Sequence, residues 1–129
     1  MEKALSNITV LDLTRVLAGP YCTMMLADYG ANVIKIEMPG KGDDTRAMGP
    51  KKNDYSMYYA YVNRGKKGIT LNLKSEEGKK LFLEMVKKAD VVVENYRPGV
   101  MDKLGVGYDV TPGVSSFSGA AAALCAEYT

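Results

Sequence analysis

The sequence predicts an α/β fold, a parallel sheet flanked by helices, and three observations carry that prediction. Val10 to Glu37 reads as strand, tight turn, helix, strand. Ile69 to Val93 repeats the order of strand, helix and strand. The run Val91-Val92-Val93 is continuously apolar, as in a parallel strand covered on both faces.

The first strand lies around Val10–Leu13, and its turn ends at Ala18-Gly19-Pro20. Glycine allows an unusual backbone angle there and proline suits a first helical position, so a helix is expected to start at that point. Cys22, Met25, Leu26 and Tyr29 are spaced i, i+3, i+4 and i+7 and predict one buried helical face, closed by Gly30 as the left-handed residue. Val33-Ile34-Lys35-Ile36 is short and β-branched, which favours a strand. Such units place ligands beyond the C-terminal ends of their strands, so the turn Arg15–Pro20 and the segment after Glu37 are the first places to look for chemistry.

Pro39 to Gly68 is a long glycine-rich connection. Lys41, Arg46, Lys51, Lys52, Arg64, Lys66 and Lys67 make it locally basic against Asp43, Asp44 and Asp54, and Tyr55, Tyr58, Tyr59 and Tyr61 predict a tyrosine-rich short helix. Two readings stand side by side, a solvated loop or a lid over an anionic ligand. Ile69–Leu73 alternates as a strand. Ser75 is then a natural N-cap for a helix from Glu76 to about Ala89, with Leu81, Phe82, Met85, Val86 and Ala89 as its buried stripe. Glu76 with Lys80 and Glu84 with Lys88 stand at i, i+4 in the favourable order. Glu94 to Gly99 follows the last strand, so Arg15, Asn95 and Arg97 come to one sheet edge, an arrangement that suits a phosphorylated, nucleotide-like ligand.

Composition narrows the chemistry. The 129 residues carry a net charge of +2 and 47% hydrophobic residues, which gives no global reason to expect nucleic acid or a membrane surface. No apolar run reaches the roughly 20 residues of a spanning helix, and the N-terminus lacks a secretory apolar core, so a cytoplasmic address is expected. The chain has no histidine, which removes the usual general base and most metal sites. Cys22 and Cys125 form no CxxC, so no metal is expected, and Cys22, on the apolar face, is read as a packing residue. GxGxxG and Walker motifs are absent. Glu37 nonetheless ends the second strand where dinucleotide-binding folds hold a ribose, which keeps a nicotinamide-binding fragment as the runner-up.

The segments LDLTRVLAGPYCTMMLADYGANVIKIEMPGKGDDTR, NRGKKGITLNLKSEEGKKLF and ADVVVENYRPGVMDKLGVGYD, in that order, resemble the N-terminal region of the family III CoA-transferases. That group includes formyl-CoA transferase, carnitine-CoA transferase and the α-methylacyl-CoA racemases. The resemblance runs from about Ile8 to Asp109. It implies a Rossmann-like domain binding coenzyme A, within a longer chain that forms an interlocked homodimer and moves CoA from an acyl-CoA to a small carboxylic acid. It also implies that Val16, Leu17 and Ala18 face the CoA, that Leu71, Asn72, Leu73 and Lys74 line it after the third strand, and that Asn95, Tyr96 and Arg97 meet it after the fourth. Lys103 stands where the family has a basic residue. Met38 departs from members that carry an arginine there, and Arg46 matches the pattern.

No permanent cofactor is implied. The family's nucleophilic aspartate lies beyond the point this sequence reaches, so none of Asp12, Asp43, Asp44 and Asp109 is assigned a catalytic role. The expected division is an N-terminal part of the CoA-binding domain at 1–109 and an Ala-, Ser- and Gly-rich tail at 110–129, read as a frameshift or truncation. A fragment of that kind leaves sheet edges uncovered, so marginal stability or self-association is expected.

Overall fold

The structure, a computed structural model, describes residues 2–107, so the expectations attached to 108–129 lie outside the described residues. Four strands, β1 (Thr9–Asp12), β2 (Asn32–Glu37), β5 (Lys67–Thr70) and β6 (Val91–Val93), form a sheet in the order β5-β2-β1-β6. Every neighbouring pair in it is parallel. The helices α1 (Ala18–Asp28) and α3 (Glu76–Val86) are the crossovers, and α4 (Val100–Leu104) follows β6. This is the α/β architecture the sequence predicts. The chain moves outward from β1 through β2 to β5 and returns across the sheet to β6, so the direction changes beside β1, where such sheets open a crevice at their C-terminal ends.

Alternation along the strands divides the core. Leu11, Leu13 and Ile36 pack with Phe82 of α3 and with Met101 and Leu104 of α4. Val10 and Val33 point the other way and pack with Ala31, Leu26 and Ala27 beneath α1. The same α1 face of β1 and β2 also carries Asp12 and Lys35, both fully buried.

Several expectations need correction. Helix α1 starts at Ala18, within the Ala18-Gly19-Pro20 stretch where a start is expected, but its buried residues are Gly19, Pro20, Thr23 and Met24. Cys22 is exposed, and so are Met25 at 40% and Tyr29 at 64%. The reason is polar. The Thr23 hydroxyl donates to the Asp12 carboxylate at 2.7 Å, and that bond turns the Thr23 side of the helix inward. The third strand of the sheet is Lys67–Thr70, earlier than Ile69–Leu73, which leaves Leu71 to Lys74 as a turn beyond the strand end. Helix α3 stops at Val86 and exposes Leu81 at 54%, although Ser75 caps it as expected, accepting from the Gly78 N–H at 3.1 Å. Its ion pairs are Glu76–Lys79 and Glu84–Lys87, at i, i+3 instead of i, i+4. Val91 is 40% exposed, because β6 is an edge strand among the described residues rather than one covered on both faces.

Residues 39–66 are ordered by local pieces: a 3₁₀ turn at Asp44–Ala47, a small hairpin of β3 (Lys51–Lys52) with β4 (Tyr55–Ser56), and the tyrosine-rich α2 (Met57–Val62). Helix α2 is capped by Ser56, which accepts from the Tyr59 N–H at 3.1 Å.

Candidate functional site

A cavity of about 640 Å³ opens at the C-terminal ends of β1, β2 and β5 and is closed on one side by α4. Leu13, Thr14 and Arg15 reach it from the end of β1, Ile36 to Met38 from the end of β2, and Leu71 to Lys74 from the turn after β5. Tyr96, Val100, Lys103 and Leu104 complete its far wall. Apolar side chains form the floor and cations stand around it. Arg15, Lys74 and Lys103 make no ion pair among the described residues, whereas Lys79 is paired with Glu76.

The structure brings six of the expected ligand-facing residues to this wall: Leu71, Asn72, Leu73, Lys74, Tyr96 and Lys103. Val16 and Leu17 lie on the adjoining turn and Ala18 at the start of α1, all three exposed, and they do not line the cavity. Val16 has φ of 72°, a left-handed conformation rare for a β-branched residue, and its N–H faces the Asp43 carboxylate at 3.4 Å. Asn95 and Arg97 are exposed just outside the wall, and the Asn95 amide is bonded to the main chain of Arg15. From the long connection, Gly42 and Asp43 contribute to the wall, so its tyrosines do not form a lid in this structure.

Beneath the cavity lies a polar network that sequence reading did not find. The Lys35 ammonium, 1% exposed, donates to the Thr14 carbonyl at 2.9 Å and pairs with Asp43 at 3.0 Å. Asp43 in turn accepts from the N–H and hydroxyl of Thr45. Glu37 accepts from the Asp43 N–H at 2.8 Å, the Arg46 guanidinium and the Tyr59 hydroxyl at 3.0 Å, while Arg46 lies over the Tyr59 ring with its carbon 3.9 Å from the ring centroid. Glu37 is therefore occupied by protein donors, and the ribose role that kept a nicotinamide-binding fragment in view has no free carboxylate here. The one sequence signal was Lys35 at an inward position of a predicted strand, a charge that burial permits only when paired.

These bonds set the titration of the two carboxylates. Burial pushes the Glu37 carboxyl up, but the donors Arg46, Asp43 N–H and Tyr59 together outweigh it and hold its pKa below the ordinary 4.5. Burial likewise raises Asp43, and Thr45 and Lys35 bring it below 3.8. Because both folded values are depressed, their stabilisation is complete above the unfolded values and is lost as pH falls through the lower folded ones. Glu37→Gln is expected to flatten the part of the acid-induced loss that begins near pH 4.5. Denaturant melts of both proteins between about pH 3 and neutral would check this, and parallel profiles would show that Glu37 is not the group responsible.

Among the described residues no helix is long and apolar enough to cross a membrane, and no group of acidic, cysteine or histidine side chains could hold a metal ion.

Comparison with known proteins places relatives on this geometry. The model of the family described as CoA-transferase family III matches residues 5–114. An acetyl-CoA:oxalate CoA-transferase of Acetobacter aceti is 59% identical over 103 residues, covering 80% of this chain and 26% of that protein. The succinyl-CoA:glutarate CoA-transferase of Homo sapiens is 52% identical over 108 residues, covering 83% of this chain and 25% of its own length. Among solved structures, a CAIB/BAIF family protein from Brucella suis superimposes with a TM-score of 0.76 at 42% identity, over 84% of this chain and 30% of that one. The chain thus spans about a quarter of the length of these curated relatives.

Proposed function

The chain belongs to CoA-transferase family III, and from that membership we propose that it carries coenzyme A-binding segments of an enzyme that moves CoA from an acyl-CoA to a small carboxylic acid. The observation that carries the reading is the cavity itself, where Leu71 to Lys74, Tyr96 and Lys103 meet at the strand ends. Leucines and a tyrosine suit the flat adenine and the pantetheine arm, and Arg15, Lys74 and Lys103 suit phosphates, which bind most strongly to charged donors. Val16 to Ala18 and Arg97 border the same opening and complete the proposed contact set, and Asn95 stands beside them, bonded to the main chain of Arg15. The relatives named above act on acetyl-CoA with oxalate and on succinyl-CoA with glutarate, and a donor and acceptor of those classes are the proposed substrates.

No catalytic residue is assigned within 2–107. Asp12, Glu37 and Asp43 are buried and bonded, which leaves none of them free to attack a thioester. Transfer is assigned to the fuller length that the relatives have, with a homodimer as the expected assembly and the cytoplasm as the expected setting.

Calorimetric titration of the 129-residue chain with CoA tests the reading. Saturable binding that weakens with salt is expected, with no transfer of CoA from acetyl-CoA to oxalate. Absence of CoA binding by the folded chain, or equal binding of NAD, would overturn the ligand assignment. Turnover by this chain alone would overturn the placement of the chemistry elsewhere.

A further inference from the structure

The ladder between β1 and β6 does not stop where their main chains part. Its backbone register pairs Asp12 with Val93, and the Leu13 N–H still reaches the Val93 carbonyl at 2.9 Å. Two residues on, the side chain of Asn95 takes over. Its Oδ1 accepts the Arg15 N–H at 2.9 Å and its Nδ2 donates to the Arg15 carbonyl at 2.8 Å. One amide side chain thus supplies both the acceptor and the donor that a neighbouring strand would have supplied, and Arg15 is held through both polar groups of its main chain. The turn begins at the next residue, Val16.

The Arg15 side chain is left for something else. It lines the cavity, its guanidinium carbon lies 5.6 Å from the centroid of the Tyr96 ring, and it has no carboxylate partner among the described residues. A guanidinium supported on an aromatic face keeps its edge donors available for an oxyanion, in a planar fork that matches phosphate. Lys74 and Lys103 on the same wall add positive charge without that geometry.

We propose that Arg15 is a phosphate-binding residue of this cavity and that Asn95 is its positioning residue, acting through the Arg15 main chain rather than by touching the ligand. The assignment rests on the coenzyme A reading for the identity of the phosphates. Asn95 is separated from Arg15 by 80 positions in sequence, so the contact ties the two βαβ halves together at the mouth of the site. Fixing the main chain of Arg15 lowers the ordering that binding must impose on its side chain.

The test compares CoA, inorganic pyrophosphate and phosphate-free pantetheine as titrants of the wild-type chain and of Arg15→Gln, Arg15→Lys, Asn95→Ala, Asn95→Asp and the Arg15→Gln/Asn95→Ala double variant, each first shown by its melt to be folded. Arg15→Gln should weaken CoA and pyrophosphate about tenfold and leave pantetheine unchanged, and Arg15→Lys should recover part of the loss. Asn95→Ala should weaken CoA several-fold in the wild-type background but less than about twofold when Arg15 is already Gln. Asn95→Asp keeps the acceptor for the Arg15 N–H and should fall between, which serves if the alanine variant does not fold. If CoA binds and Arg15→Gln leaves its affinity intact, the role given to Arg15 is wrong. Equal losses from Asn95→Ala in both backgrounds would make Asn95 an independent contact and overturn its positioning role. Pyrophosphate binding that depends on Arg15, without CoA binding, would sustain the phosphate site and overturn the CoA reading. Binding of neither titrant overturns both.

Discussion

Gly78→Ala is expected to cost about 3 kcal/mol or more of folding stability, against the usual rule that alanine improves a helix by about 1 kcal/mol over glycine. The reason is a close approach. A Cβ at position 78 would fall far inside contact distance of the Asn72 carbonyl oxygen, a main-chain atom that cannot swing aside. That oxygen is already fixed, since it accepts the Ser75 N–H at 3.2 Å and the Ser75 hydroxyl at 3.0 Å. Ser75 in turn caps α3 through the Gly78 N–H, so relief of the clash must break the cap, move the turn, or both. The turn is also the stretch from Asn72 to Lys74 that forms one wall of the cavity, so CoA affinity should fall along with stability. Gly68→Ala is the control, because nothing lies within 4 Å of a Cβ there, and it should be neutral or stabilise by a few tenths to 1 kcal/mol. Denaturant melts of the two variants separate the cases, and a Gly78→Ala protein as stable as wild type would show that the turn can shift at little cost.

That glycine illustrates what the sequence could and could not disclose. Strand, turn and helix were legible wherever the pattern is local: the apolar run at Val91, the Ser75 cap followed by Glu76 and Glu77, and the left-handed Gly30 with φ of 105°. The resemblance to family III members then directed attention to Leu71–Lys74, Tyr96 and Lys103, and these meet on one wall. Contacts between distant parts of the chain were not legible, because they depend on partners that no local window contains. Helical periodicity assigned α1 its Cys22 face, whereas a threonine-to-carboxylate bond selects the Thr23 face. Lys66 and Asp43 read as charges of a solvated basic loop, yet their side chains are 2% and 1% exposed. A charged residue in a glycine-rich loop carries no mark of its burial until its counter-ion, 54 or 8 positions away, is known.

Lys66 supplies the second large effect: Lys66→Met is expected to destabilise the fold by about 3–5 kcal/mol, the usual consequence of leaving a buried charge without its partner. The Lys66 ammonium donates to the Asp12 carboxylate, the Pro20 carbonyl and the Asn63 amide oxygen, each at 2.9 Å, and so ties β1, α1 and the segment before β5 at one point. Asp12 would keep the hydroxyls of Thr14 and Thr23 but lose the one cation it pairs with among the described residues, and the balance with the neighbouring Lys35–Asp43 pair would be broken. Met retains most of the apolar stem, so lost packing contributes little to the difference. If the cost is an orphaned charge, removing the charge must restore stability: Asp12→Asn with Lys66→Met should be far less harmful than the two single changes added together. The ionised lysine is itself a compromise, because burial pushes its pKa below the ordinary 10.5 while Asp12 pulls it back up. A depressed lysine means that the unfolded chain holds the proton more tightly, so stability rises with pH from the folded value towards 10.5. Tyr59 works in the opposite direction, its pKa raised by burial and by Glu37, so the informative quantity is the difference between wild type and Lys66→Met across the alkaline range. That difference should widen as pH rises from the folded value towards 10.5, because only the wild type carries the depressed lysine. A constant offset would show that Lys66 titrates alike in the folded and unfolded chains, and an additive double variant would show that the Asp12 carboxylate is satisfied by its threonines alone.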